Sequence, residues 1–288
     1  MDIKELETLI MRAERVLARL ETVLPGPPSP PDWNAAHAFL WRRHHGRALL
    51  QPVATPSVIR LRDLQNIDEQ KERIERNTQQ FLAGRRANNV LLTGARGSGK
   101  SSLVKALLDE YASKGLRLIE VDKDDLADLP EIMDLASGRP ERFIVFCDDL
   151  SFGEGEVAYK ALKSALDGSI SGLADNVLIY ATSNRRHLMP EFHDDNKLTR
   201  HIDGEIHPAE AIEEKISLSD RFGLWLSFYP FGQDEYLEIA THWLKVFGVP
   251  KKRIREAHQE ALQWALLRGS RSGRVAWQFA RDFAGRVE

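Results

Sequence analysis

The run Gly94-Ala95-Arg96-Gly97-Ser98-Gly99-Lys100-Ser101 constrains this chain more than any other feature. It satisfies the pattern G-x-x-x-x-G-K-[ST] at every fixed position. Its flanks fit as well. Asn88 to Thr93 reads as a short strand entering the loop, and Ser101-Ser102 onward to Leu108 reads as a helix leaving it. A strand, a glycine-rich turn and a helix N-terminus together form a phosphate cradle, because backbone N–H groups turn inward on an anion where no Cβ obstructs them. The segment Gly94 to Ser102 is therefore read as binding a nucleoside triphosphate. Lys100 is expected to reach the β- and γ-phosphates, and the Ser101 hydroxyl to ligate Mg²⁺.

The chain around the loop alternates strand and helix. Leu116–Val121, Phe143–Cys147, Val177–Thr182 and Leu224–Phe228 are mostly apolar runs of strand length, separated by helical segments. That alternation predicts a parallel sheet buried on both faces. Residues 233–288 contain no strand pattern and read as a small helical domain. At 288 residues the chain holds one large domain or one large and one small. A division into 1–60, 61–232 and 233–288 follows.

The first of these segments is a helical and basic extension. Apolar residues at Leu6, Leu9, Ile10, Ala13, Val16, Leu17 and Leu20 recur at helical spacing, until Pro25-Gly26-Pro27-Pro28 stops the helix. The helix packs on its own domain or serves for docking. Residues 33–60 contain Trp33, Trp41, Arg42, Arg43, Arg47 and Arg60 and no Asp or Glu. Basic residues interleaved with aromatics suit single-stranded nucleic acid, but buried tryptophans with the arginines on a solvated or subunit-facing surface are the preferred reading. His44-His45 lacks a Cys or carboxylate partner at ligand spacing and is not read as a metal site.

Composition narrows the setting. Lys and Arg total 40 against 43 Asp and Glu, for a net charge of −3, a balance that does not suggest a generic nucleic-acid coat but leaves room for a local patch. Cys147 is the single cysteine, so no disulfide framework forms within the chain, as suits a reducing compartment. No apolar run approaches the ~18 residues needed to span a bilayer, and the N-terminus shows no signal-peptide core. A cytoplasmic protein with no membrane partner is expected.

The apolar run Phe143–Cys147 ends in Asp148-Asp149. An acidic pair at the C-terminal end of a strand, downstream of a P-loop, is a Walker B arrangement. Asp148 is positioned to hold Mg²⁺, usually through water, and Asp149 to orient or deprotonate the attacking water. Asp149 is one methylene shorter than the Glu common at that position, and Glu154 and Glu156 are possible substitutes. The strand Val177–Thr182 ends in Ser183-Asn184. Ser217 to Gly223 contains Asp220-Arg221-Phe222, and Gly269 to Trp277 contains Arg271 and Arg274.

Together these residues resemble the AAA+ superfamily over about residues 55–288. The runs NNVLLTGARGSGKSSLVK, CDDLSF, EAIEEKISLSDRFGLWL and GSRSGRVAWQF resemble, more closely, a bacterial family of uncharacterised AAA+ ATP-binding proteins. The resemblance implies an α/β fold: a P-loop parallel sheet flanked by helices, with a small C-terminal helical lid. It implies ATP and Mg²⁺ as ligands and assembly into a homo-oligomer. By the same resemblance Asn184 sits where sensor 1 holds water against the γ-phosphate, and Arg221 falls in an arginine-finger box acting on a neighbour's nucleotide. Arg274, or alternatively Arg271, matches sensor 2, and Ile67 falls in the segment that cups the base. The Asp-Asp pair departs from the usual Asp-Glu.

Residues 185–216 make a connection of roughly 30 residues, long for a compact domain, expected to be part helical and part mobile. Their histidines (His187, His193, His201, His207) are irregularly spaced and are read as loop residues, not metal ligands. Three functions compete. The leading one is an ATP hydrolase that remodels an unknown protein or nucleic-acid client. The second is a nucleotide-gated binding or loader module with slow turnover, and the third a small-molecule phosphotransferase.

Overall fold

The computed structural model describes residues 10–16, 31–44, 47–54, 56, 59–152, 156–167, 175–185, 200–202, 205–207 and 218–287. The chain divides into two units, Met1–Trp33 and Asn34–Glu288. In the first, residues 10–16 are helical (α1), with Ile10, Met11 and Val16 exposed. The remainder of the helix expected over 1–24 lies outside the described residues.

The second unit is built on a seven-stranded sheet. Its strands are β1 (Ala38–His44), β2 (Arg47–Pro52), β3 (Val90–Gly94), β4 (Leu116–Val121), β5 (Arg142–Cys147), β6 (Val177–Ser183) and β9 (Leu224–Phe228). They lie in the order β2-β1-β4-β5-β6-β3-β9. Only β1 and β2 pair antiparallel; every other pairing is parallel. The five strands legible in the sequence fall within a residue or two of their expected limits. Leu91, Leu92, Ile119, Ile144, Val145, Phe146, Ile179 and Tyr180 are fully buried, as strands covered on both faces require.

Helices α2 (Asp68–Leu82), α3 (Lys100–Tyr111), α4 (Leu129–Ala136) and α5 (Val157–Asp167) flank the sheet. Through Leu103, Val104 and Leu107, α3 buries a continuous apolar face, and α2 does so through Ile74 and Phe81. Between α2 and the central strands lies a polar exception. Tyr180 Oη is 2.9 Å from Thr78 Oγ1, and Asn77 Nδ2 donates to it at 3.1 Å. These groups are buried and satisfy one another, which removes most of the cost of burying them.

Helices α6 (Gln233–Val246), α7 (Lys251–Leu267) and α8 (Gly273–Val287) follow β9. Tyr236 Oη of α6 donates to the Ala261 carbonyl of α7 at 3.0 Å. A ring contact from Trp264 to Phe279 joins α7 to α8, and Phe279 in turn meets Phe283 on α8.

Two differences from the sequence reading stand out. Residues 38–52, set apart there as part of a helical and basic extension, supply two strands of the main sheet. The preferred reading of this segment, buried tryptophan with solvated arginines, holds at Trp41, Arg42 and Arg43: both arginines are exposed, Arg42 pairing with Asp122 and Arg43 Nε donating to Asp128 Oδ2 at 2.9 Å, while Trp41 Nε1 donates to the same oxygen at 3.0 Å. Trp41 is fully buried. The strand signal was obscured because its acidic partners lie more than 75 residues away. Second, within 185–216 the described residues include a short antiparallel strand pair, β7 (Arg200–Ile202) with β8 (Glu205–His207), and most of the connection expected to be part helical and part mobile lies outside the described residues. His187 and His193 lie outside the described residues.

Candidate functional site: a phosphate cradle at the strand ends

Because β3, β5 and β6 run parallel, their C-terminal ends emerge on one side of the sheet. The register aligns Thr93 with Ser183 and Cys147 with Ala181. Residues that follow these strands therefore meet: the loop after Gly94, the Asp148-Asp149 pair and Asn184.

The loop geometry requires its glycines. Gly94 has φ +129°, and a Cβ there would run into the Phe228 backbone of β9. Gly97 has φ +76°, and a Cβ there would lie 2.9 Å from Ser272 Oγ, so the loop fits against the turn that opens α8. Ser98, buried, donates through Oγ to the Ala95 carbonyl at 2.7 Å and closes the turn.

Lys100 is almost fully buried. Its ammonium donates to the carbonyls of Gly94 and Ala95, both at 2.8 Å, and to Asn184 Oδ1 at 3.0 Å. Burial pushes its pKa down; Asp149 and Asp148 oppose that, and the charges of Arg274 and Arg96 add to it. A cation held in a partly dry cradle among backbone dipoles is suited to a phosphate, which restores the missing charge compensation.

Ser101 Oγ donates to Asp148 Oδ1 at 2.6 Å. Thr182 Oγ1 donates to the same oxygen at 2.6 Å while accepting from the Asp149 backbone N–H at 2.9 Å. The Thr182 carbonyl receives Leu150 N–H at 2.7 Å. Neighbouring strand β6 thus fixes the acidic pair from both its side chain and its backbone. A hydroxyl and a carboxylate in contact are hard oxygen donors of the kind Mg²⁺ takes, so the residues present fit that ion. Among the described residues there is no cluster of three or more His, Cys, Asp or Glu with metal-binding geometry.

Asp149 adopts a left-handed backbone conformation, φ +54°. Asn184 Nδ2 donates to its Oδ1, and Arg96 Nη2 lies 3.7 Å from its Oδ2. Glu156, the substitute weighed for Asp149, is engaged elsewhere, 2.9 Å from Lys123 Nζ. Glu154 lies outside the described residues.

These groups line a cavity of about 1230 Å³ that also contains Gly97, Gly99, Ser102, Ile67 and Arg274. Ile67 is buried at the start of α2, its Cδ1 3.6 Å from the place a Gly99 Cβ would occupy. Arg271 lies instead in a separate hollow of about 810 Å³ beside the same loop, a hollow that Arg96 also borders. Arg221 is outside the cavity, its Nε paired with Asp167 at the end of α5.

Sequence reasoning missed the aromatic part of the cavity wall. Trp243 lies on α6, Phe247 immediately after it and Trp277 on α8; Trp243 and Phe247 stack at 5.9 Å between centroids, and Phe247 meets Trp277 edge-on at 6.3 Å. His242 Nε2 lies 3.2 Å from Asp63 Oδ1 in the turn Leu61–Asp63. The apolar spacing of α6 was visible, but which face looks into a cavity depends on how the helices dock.

Sheet, cradle and C-terminal helices together define the class: a P-loop protein of AAA+ fold. Among solved structures, a proline-to-glycine mutant of RuvB from Thermotoga maritima aligns with a TM-score of 0.50 at 16% identity, over 79% of this chain and 67% of that one. A threonine-to-valine mutant of the same protein gives 0.45 at 14% identity, over 77% and 71%. The Escherichia coli MS115-1 HORMA:CdnC:Trip13 complex gives 0.47 at 13% identity, over 77% and 89%. No curated protein matches the sequence. Residues 34–287 match one family model, and the chain belongs to that family, DUF815, described as proteins of unknown function.

Proposed function

We propose that this chain is an ATP-hydrolysing AAA+ enzyme that works as a homo-oligomer and couples turnover to a conformational change on an unknown protein or nucleic-acid client. The observation that carries this reading is the convergence of Lys100, Ser101, Asp148, Asp149 and Asn184 on one cavity that Arg274 also lines. In it the Gly94–Ser102 loop and Lys100 bind the phosphates, and Ile67 packs near the base. Ser101 and Asp148 would hold Mg²⁺, which neutralises charge on the β- and γ-phosphate oxygens when bound. Asp149 and Asn184 orient the attacking water. Arg274 lies on α8 beside the loop, where it can couple the C-terminal helices to the phosphates.

Arg221 supports action between subunits. It does not line its own chain's cavity, and a guanidinium supplied by a neighbour stabilises the charge of a transferring phosphoryl group by ~10³–10⁵ in rate. Among the described residues no helix is long and apolar enough to cross a membrane. A cytoplasmic setting is proposed on the single cysteine, Cys147, which leaves no disulfide to form within the chain.

The test is Mg²⁺-dependent phosphate release per protomer over a wide range of protein concentration. A rate that climbs with concentration is expected. Arg221→Ala protein loses turnover and regains it when mixed with Lys100→Ala protein, because one supplies the intact cradle and the other the intact arginine. Undiminished turnover in Arg221→Ala excludes the trans role. A second reading, a nucleotide-gated module with slow turnover, is favoured by the engagement of Asp149 with Asn184 and Arg96. A flat, near-zero rate despite tight ATP binding selects it.

A further inference from the structure

Arg96 lies inside the phosphate-binding loop, and the sequence pattern leaves its position free to be any residue. Its guanidinium lines the same cavity as Lys100. Nη2 stands 3.7 Å from Asp149 Oδ2, with the two side chains 75% and 54% exposed. An exposed pair at that separation is weakly held. The other Asp149 oxygen accepts from Asn184 Nδ2, and Asn184 Oδ1 accepts from Lys100 Nζ at 3.0 Å. Arg96, Asp149, Asn184 and Lys100 therefore form one line of contacts, a cation at each end and the acid that faces the attacking water within it. The charges of Arg274 and Arg96 both bear on Lys100. Arg221, the arginine matched to a finger, is held by Asp167 outside the cavity.

We propose that Arg96 reads the terminal phosphate of ATP from within the same chain, exchanging its weak contact with Asp149 for the γ-phosphate and so freeing the Asp149 carboxylate for the attacking water. The inference rests on the nucleotide-binding reading above and adds to it a specificity-determining residue for ATP over ADP. The physical reason is the difference between two acceptors. A terminal phosphate carries more charge than a carboxylate and offers several oxygens to a guanidinium fork. ADP ends one phosphate short, so Arg96 stays on Asp149 and the acid stays engaged. Discrimination is then built into a single subunit, whatever a neighbour's Arg221 adds to the rate.

The experiment is calorimetric titration of the full chain, in Mg²⁺, with the non-hydrolysable imido analogue of ATP and separately with ADP. Wild type, Arg96→Ala, Arg96→Lys and Lys100→Ala are compared, with melting temperatures showing that each is folded. Arg96→Ala is expected to weaken the triphosphate by ~10-fold or more, the scale of a lost charge-assisted hydrogen bond, while ADP changes by less than ~2-fold on the same scale. Arg96→Lys recovers part of the loss. Asp149→Asn, which releases Arg96, strengthens the triphosphate, and Arg96→Ala added to it abolishes that gain. Equal weakening of both nucleotides, or of neither, overturns the role assigned to Arg96. Lys100→Ala weakens both nucleotides if the cradle binds them. If wild type binds neither, the nucleotide reading itself fails and takes this inference with it.

Discussion

Ser101 Oγ donates a 2.6 Å hydrogen bond to Asp148 Oδ1, joining residues 47 positions apart in the chain. The contact exists because β3 and β5 both run toward the same edge of a parallel sheet, with β6 between them. It brings the first turn of α3 to the acidic end of β5 and makes an oxygen-lined seat beside the Lys100 ammonium. Asp148→Asn keeps the fold, since an amide oxygen still accepts from Ser101 and Thr182. It removes the charge, and Mg²⁺-dependent ATP turnover is expected to fall ~10–100-fold. A titration of rate against Mg²⁺ in both proteins checks this, and an unchanged midpoint excludes Asp148 from the ion's surroundings.

Asp149 sits at φ +54°, a conformation that Asp and Asn tolerate better than most side chains. Asp149→Asn is expected to stay within about 0.5 kcal/mol of wild-type stability, typical of a benign exposed change, while turnover falls ~10²–10⁴-fold with loss of the carboxylate base. Asp149→Glu restores the acid found in most AAA+ members but costs about 1 kcal/mol in the left-handed region. Urea melts of the three proteins separate backbone strain from chemistry. The same strain offers a physical reason for Asp in place of Glu here.

Gly94→Ala tests the loop. The added methyl meets the Phe228 backbone, and φ +129° is strained for any L side chain. A loss of at least about 1–3 kcal/mol is expected from the backbone conformation alone. Nucleotide affinity falls with it, because β9 must shift to admit the methyl. Melting temperature and ADP affinity measured together show whether both move.

Alkaline pH should loosen the domain through its tyrosines. Burial pushes Tyr180, Tyr236 and Tyr111 up to about 12, with a hydrogen bond to Glu75 adding to the effect at Tyr111. The unfolded-state value is about 10. A folded pKa above the unfolded one means that the neutral phenol is the form the fold favours. The stability it carries is whole below pH ~10 and is lost as pH rises through about 12. Tyr180→Phe lowers stability at neutral pH by about 1 kcal/mol, the scale of its bonds to Thr78 and Asn77, and flattens the alkaline decline. Melting temperatures of both proteins from neutral pH to pH ~12 decide it; parallel curves refute a role for Tyr180.

The sheet strands that carry the site were readable because each is a continuous apolar run, and Val90–Gly94 and Arg142–Cys147 end in the chemistry itself. Strands β1 and β2 were not. Their arginines read as surface, which they are, but nothing nearby in the chain shows that Arg42 and Arg43 pair with Asp122 and Asp128 on a strand of the main sheet. The aromatic wall was hidden for a related reason: Trp243 and Trp277 sit on helices whose apolar positions do not distinguish core from cavity.

What the sequence determined by itself is local: a strand, a glycine turn and a helix around Lys100, and an acidic pair after an apolar run. Backbone stereochemistry and apolar spacing act over a few residues and can be read there. Tertiary structure alone decided which of these segments became neighbours. Strand order put Asn184 against both Lys100 and Asp149, helix docking put Arg274 and not Arg271 in the cavity, and Arg221 pairs with Asp167 outside it. Those outcomes follow from how buried surfaces fit across the whole domain, which no short stretch of sequence records.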